Sequence, residues 1–182
     1  EMTEQFFYRE LPQLNLIKNR HLQSQCIDTW MMACRDGLQS KESLLHHKAY
    51  RKLDHCELTL LEHTRKVTDM AMRTATQLMQ DFDSLVPFDC DVLVAGALLH
   101  DVGKALANKN VSDSKYQYLH HPISGAILAA SCNCPGSVVH IIAHHSKHGK
   151  DAVETPELFI IRSFDYLHFR YFSFQYKIKE TS

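Results

Sequence analysis

The run VLVAGALLHDVGK, residues 92–104, sets the hardest constraint on the fold, because its apolar stretch leads straight into His100 and Asp101. A segment that apolar belongs in an interior. An isolated carboxylate carried into an interior is among the costliest features a fold can hold, unless something compensates its charge. Whatever this chain folds into must therefore supply a partner for Asp101.

The chain is long enough for one globular domain with a core, at 182 residues, 45% hydrophobic and 23% charged. Its formal charge of -1 provides no basic field of the kind that draws a protein onto nucleic acid or anionic lipid. A small substrate is expected, with no nucleic-acid or membrane partner, while homo-oligomerisation stays open. The six cysteines lack the dense spacing of a secreted disulfide framework, so they read as reduced thiols. Cys132-Asn133-Cys134 has no second pair to complete a zinc site. The opening EMTEQFFYRE lacks a basic-then-apolar signal pattern and no apolar run is long enough to span a bilayer, so a cytoplasmic protein is expected.

Strand-like alternation is nearly absent, and the periodicity predicts helices almost throughout. One runs over about 14–36, followed by a polar connector at 38–56. A long one covers about 57–80, and the next begins near Asp91 and carries HDVGK. After a polar loop at 107–117, a helix opens at Pro122, another covers 137–147, and a last one is capped by Thr155 with Pro156 in its first turn. This divides the chain into an N-terminal helical extension packing on the core (1–56), a main domain (57–172) and a C-terminal tail (173–182).

Helical spacing then shows which polar residues share apolar faces. His63 lies on a stripe with Val67, Met70, Ala71 and Leu78; His145 lies with Val138, Ile141 and Ile142, whereas His144 falls on another face with His140. Asp165 lies on a stripe with Leu158, Ile161, Phe169 and Phe172. Singly, each has an ordinary reading as a carbonyl-bonded histidine or a paired aspartate. Jointly, inward histidines and carboxylates on separate helices are explained more economically by one cation than by unrelated local arrangements. Adjacent helical residues diverge by about a quarter turn, so His100 and Asp101 can face one ion only from a groove between helices, where Gly96 and Gly103 permit close approach.

The ordered series His63, His100-Asp101, Asp165 resembles the H...HD...D signature of the HD superfamily of metal-dependent phosphohydrolases, all-α helical bundles with the metal site in the core. LNLIKNRHLQSQCIDTWMMAC, LHHPISGA, VVHIIAHHS and FDYLHF are similar to small stand-alone prokaryotic members. The resemblance implies that His63, His100, Asp101 and Asp165 bind a first divalent ion and His121 and His145 a second, with Asp101 bridging. The ion would be Mn, Fe, Co, Ni or Zn rather than Mg, given the imidazoles. It implies hydrolysis of a small phosphoester by a water whose pKa the metal lowers, with Asp101 and Lys104 catalytic and Lys104 meeting the substrate phosphate. Arg162, one turn before Asp165, is a second candidate for the phosphate, beside the more ordinary reading of a solvated or salt-bridged arginine. His148 stands where the family pattern suggests an acidic residue, and the GYP tripeptide of the cyclic-dinucleotide branch is missing. The same framework also accommodates a di-iron oxygenase, and a metal- or nucleotide-binding regulatory module without turnover.

Overall fold

The computed structural model describes residues 2–53, 55–106, 116–149 and 151–180, with backbone alone at 148 and 175–180. Among these, eight α-helices follow in order: α1 (Glu4–Glu10), α2 (Arg20–Asp36), α3 (Lys41–Leu45), α4 (Leu60–Asp81), α5 (Cys90–Leu99), α6 (His121–Ser131), α7 (Gly136–His144) and α8 (Pro156–Glu180). Short 3-10 turns cover Pro12–Leu16, Val102–Leu106 and Lys147–Gly149. No strand occurs among the described residues, although Lys48 and Thr59 form one isolated antiparallel bridge. The all-α class expected from the periodicity is what the chain adopts.

The helix starts follow from side chains that satisfy otherwise orphaned backbone N–H groups. Asn19 caps α2, Asp89 caps α5, and Thr59 and Glu62 form a reciprocal capping box on α4. Thr155 Oγ1 accepts from Leu158 N at the start of α8. Asp91, in the first turn of α5, acts less locally, accepting from the backbone N–H groups of Lys18 (2.8 Å) and Asn19 (2.9 Å). That contact fastens the segment before α2 onto α5.

Helix α5 is apolar all round and accordingly buried all round. Its Val94 and Leu98 face the N-terminal elements, in a cluster with Phe7, Leu14, Trp30, Leu128 and Ile142. Leu93 and Ala97 face the other way, with Val67 and Ala71 of α4, Ile141 of α7 and Leu158 and Ile161 of α8. Trp30 donates its indole N–H to the Leu98 carbonyl at 3.1 Å. The N-terminal residues therefore supply part of the surroundings of the helix that leads to His100.

Several boundaries differ from the periodic expectation. The 14–36 stretch is split, since Ile17–Asn19 lies extended between a 3-10 turn and α2, and α1 precedes it with Thr3 as its cap. Helix α5 does not carry HDVGK. It ends at Leu99, and Lys104 N bonds the Asp101 carbonyl in a 3-10 turn that redirects the chain. Leu78, placed on the inward stripe of α4, is 40% exposed, because α4 outruns the helices it packs on. With no Gly or Pro after Pro156, α8 continues through Glu180, past residue 172. Residues 107–115 of the polar loop and residues 181–182 lie outside the described ones.

Close approach is needed at Gly103, where a Cβ would stand 2.0 Å from the His121 carbonyl oxygen and 2.8 Å from Gly125 N. Both are backbone atoms, so the 3-10 turn and α6 would have to separate. Gly103→Ala is expected to cost about 3 kcal/mol in a urea unfolding titration. Thr59→Ala should cost about 1 kcal/mol at neutral pH by removing the α4 cap. The bonds from Thr59 hold Glu62 below its ordinary carboxylate value of 4.5. A carboxyl with a depressed folded-state pKa adds stability above the unfolded pKa and loses it as pH falls through the folded one. The gap between Thr59→Ala and wild type should therefore narrow as titrations move below pH 4.5.

Candidate metal centre

Five helices bring polar residues to one buried point. The first turn of α4 supplies His63, His100 and Asp101 directly follow α5, α6 begins with His121, and His145 directly follows α7; α8 adds Asp165. His63, His100 and Asp101 have fully buried side chains, as has His145, while Asp165 is 21% and His121 34% exposed. The cluster therefore opens to solvent on the His121 and Asp165 side.

His63 Nε2 lies 3.1 Å from His100 Nε2, 3.3 Å from Asp101 Oδ2 and 3.2 Å from Asp165 Oδ1. Asp101 turns its other oxygen, Oδ1, toward His121 Nε2 (3.1 Å) and His145 Nε2 (3.5 Å). The structure thus gathers two ligand sets that share Asp101: His63, His100, Asp101 and Asp165, and Asp101, His121 and His145. Edges of about 3.0–3.5 Å are what nitrogen and oxygen ligands make around a common ion at about 2.1 Å.

Three observations test whether these residues suit a cation. Asp101 Oδ1 and His145 Nε2 are buried with no hydrogen-bond partner, an arrangement that costs free energy unless something else satisfies them. The ring tautomers point the same way. His100 Nδ1 lies 2.7 Å from the Ala97 carbonyl and His145 Nδ1 2.8 Å from the Ile142 carbonyl. A carbonyl can only accept, so both Nδ1 atoms carry the proton and both Nε2 atoms of the neutral rings present lone pairs to the cluster. Finally, a bare His100 Nε2 at 3.1 Å from His63 Nε2 requires a proton or a cation between them. The donor set fits a divalent ion.

Electrostatics agree. Burial alone would raise the Asp101 carboxyl, but the Lys104 charge, aided by the neighbouring His100 and His121 imidazoles, outweighs it and holds Asp101 well below the usual range. Asp165 is also lowered, as the bond from His63 overcomes burial and the neighbouring Asp101 charge. Burial works against a charged His63, yet Asp101 and Asp165 raise it, whereas His121 is lowered mainly by burial. Both carboxylates are thus kept ionised for a positive charge.

Lys104 is drawn into the centre, its Nζ 2.6 Å from Asp101 Oδ2 and 3.1 Å from the Ala49 carbonyl. Arg162 is placed differently. Its Nη2 donates to the carbonyls of His144 and Gly149, both at 3.0 Å, and its Nη1 meets Glu154 at 3.1 Å. It ties α8 to the end of α7 rather than standing free for a phosphate. His144 lies outside both ligand sets, its ring tilted against that of His140 with centroids 4.8 Å apart. Cys134 sits 3.6 Å from Thr29 Oγ1, and burial pushes its thiol up to about 11. The His148 side chain lies outside the described ones.

Two further neighbours of His63 are not among the residues that the sequence singles out. Tyr50 Oη and His168 Nδ1 each lie 3.2 Å from His63 Nδ1. His168 had a signal available, standing three residues after Asp165 on the same helix face. Tyr50 sits in the polar connector, where no periodicity marks it.

A helical bundle with buried histidines and aspartates at its centre defines a class of metal-binding proteins. The family model for the HD domain matches residues 60–170, and this chain belongs to that family. HD domains bind divalent metals and are generally metal-dependent hydrolases. The chain is 27% identical over 107 residues to a tRNA (cytidine(56)-2'-O)-methyltransferase of Picrophilus torridus. That similarity covers 59% of this chain and 26% of the other protein, so the chain spans about a quarter of that relative's length. No solved structure matches. No helix among the described residues is long and apolar enough to cross a membrane.

A divalent transition ion should raise the thermal midpoint, since binding at 100 times Kd adds about 2.7 kcal/mol to the folded state, and chelation should reverse the gain. His145→Ala should lower the bound-metal stoichiometry, whereas His144→Ala should keep it. Equal stoichiometry in the two variants, read by elemental analysis, would contradict this ligand assignment.

Proposed function

We propose that this chain is a metal-dependent phosphohydrolase acting on a small phosphoester, a nucleotide or a phosphomonoester. The observation that carries the reading is Asp101, a fully buried carboxylate whose two oxygens face two separate sets of histidines. His63, His100, Asp101 and Asp165 would hold one ion and Asp101, His121 and His145 a second. Their imidazoles favour Mn, Fe, Co, Ni or Zn over Mg. When bound, the ions supply Lewis-acid polarisation of phosphoryl oxygens and a water of lowered pKa.

The protein's own groups do the rest. His100 and His145 are oriented by the Ala97 and Ile142 carbonyls, so no reorganisation is needed when ligand arrives. His121, the most exposed of the histidines in the two sets, marks the side from which an anion can reach the centre. Lys104, only 20% exposed at its side chain, balances Asp101 and extends the cationic surface toward that anion. A formal charge of -1 favours a small substrate over a polynucleotide. The methyl transfer in the relative's name is not carried over, because the chain spans only a quarter of that protein. Free thiols at Cys26, Cys34 and Cys134, all buried, suit a reducing compartment, and we place the protein in the cytoplasm.

The test is a screen of nucleotides and phosphomonoesters against protein loaded with each of these metals in turn. Metal-loaded protein that turns over no phosphoester would point to a binding module, and oxygen uptake by an iron-loaded sample to oxidative chemistry. Lys104→Met keeps the aliphatic stem and removes the charge. It should retain bound metal and lower phosphoester turnover by about one to three orders of magnitude, equivalent to about 1.4–4 kcal/mol of transition-state stabilisation. Its metal-free form should also melt lower than wild type, because Asp101 then loses its ion-pair partner in a buried site. Turnover at the wild-type rate would show that Lys104 serves the fold alone.

A further inference from the structure

The matched domain begins at residue 60, yet one contact at its centre comes from before it. We infer that Tyr50 is a positioning residue for the metal centre, holding the His63 ring in the tautomer that presents Nε2 to the ion. The inference rests on the metal reading above.

The chemistry starts from His63 itself. A neutral imidazole has one N–H, so a ring whose Nε2 lone pair goes to a cation must carry its proton on Nδ1. For His100 and His145 that proton is taken by a carbonyl three residues back in the same chain segment. His63 stands in the first turn of α4, and its Nδ1 faces side chains instead: Tyr50 Oη at 3.2 Å and His168 Nδ1 at 3.2 Å. Tyr50 is the better acceptor of the two. Its bond to His63 is buried, where a hydrogen bond is electrostatically stronger, whereas the His168 contact is partly exposed. A phenol oxygen keeps a lone pair whichever way its proton turns, while His168 Nδ1 accepts in only one of its tautomers.

The surroundings hold the hydroxyl in place. Tyr50 lies edge-on to Phe169 (5.6 Å between centroids) and tilted against Phe172 (6.2 Å), both on α8. Its backbone is pinned to the entry of α4, because Ala49 N bonds the Leu58 carbonyl (2.9 Å) and Leu60 N bonds the His47 carbonyl (2.7 Å). The preceding residue supplies a second tie, the Ala49 carbonyl on Lys104 Nζ. Segment 47–50 thus touches both a ligand of the first set and the lysine beside the bridging carboxylate.

The experiment compares Co2+ affinity by competition titration in wild type, Tyr50→Phe, Phe172→Leu and His168→Gln. Thermal melts of each metal-free form run alongside. Tyr50→Phe keeps the ring and its aromatic neighbours and removes only the hydroxyl. The expected result is a 10- to 100-fold loss of Co2+ affinity, the range seen when a ligand's outer partner is removed, with the metal-free midpoint kept. Loading with Zn2+ adds an NMR readout, in which the His63 Nδ1–H resonance, slow to exchange in wild type, exchanges rapidly in Tyr50→Phe. Phe172→Leu loosens the aromatic stack and retains the hydroxyl, so an equal loss of affinity there would reduce Tyr50 to packing and overturn the inference. So would wild-type affinity in Tyr50→Phe, or a loss confined to His168→Gln. If wild type itself takes up neither Co2+ nor Zn2+, the metal reading fails first and the inference falls with it.

Discussion

A carboxylate with no exposed surface governs this structure. Asp101 sits at the end of a helix buried on every side, and bringing its charge there is unfavourable by several kcal/mol before any compensation. The features around it follow from that cost. Lys104 lies one 3-10 turn later with its ammonium on Oδ2, and two histidines converge on Oδ1 without donating to it. An ordinary ion pair would not require four histidine nitrogens within 3.5 Å of the same carboxylate. A dication does, because it replaces several individually weak compensations with one strong one.

The packing explains how so many helices reach one point. Helix α5 has no polar face to turn outward, so neighbours must surround it, and surrounding it brings α4, α7 and α8 together on one side. On the other, Trp30 and the N-terminal segment close over Val94 and Leu98. Small residues set the spacing. Gly96 leaves room for Ile141, whose side chain a Cβ would meet at 2.7 Å, and Gly103 lets α6 approach until His121 stands beside Asp101. The centre is therefore a consequence of the same close packing that stabilises the core.

How much of this was legible in the sequence depended on whether a periodic face carried the information. His63 and His145 share stripes with buried aliphatic residues, and periodicity alone turned them inward and left His144 out. His121 was visible only through the family resemblance, since a residue in the first turn of a helix has too little periodicity around it. The helical stripe misled where tertiary context overrode it, at Leu78 on the overhanging end of α4 and at HDVGK, which leaves the helix to form a 3-10 turn. Arg162 was unreadable for another reason. Its partners are the carbonyls of His144 and Gly149, and a backbone acceptor leaves no mark on the sequence that recruits it. Tyr50 was hidden similarly, in a polar connector whose placement depends on the Lys48 and Thr59 bridge.

That connector changes what the domain boundary means. A match beginning at Leu60 suggests a unit that carries its own centre, with everything earlier appended to it. The contacts run otherwise. Ala49 takes one hydrogen of the Lys104 ammonium, and Tyr50 faces the His63 nitrogen opposite the one that points into the cluster. Lys104 also stands over the Tyr50 ring at 5.4 Å, so the same residue borders both a candidate ligand and the charge beside Asp101. A lysine held by Asp101, a carbonyl and a ring face is poised rather than free. Were Asp101 to hold a dication, the ion pair would weaken, and the ammonium would keep the carbonyl and the aromatic face while its charge became available to an anion. On the proposed reading, Lys104 would then serve as counter-ion to the substrate rather than to the protein, with Ala49 and Tyr50 of the N-terminal segment holding it in place.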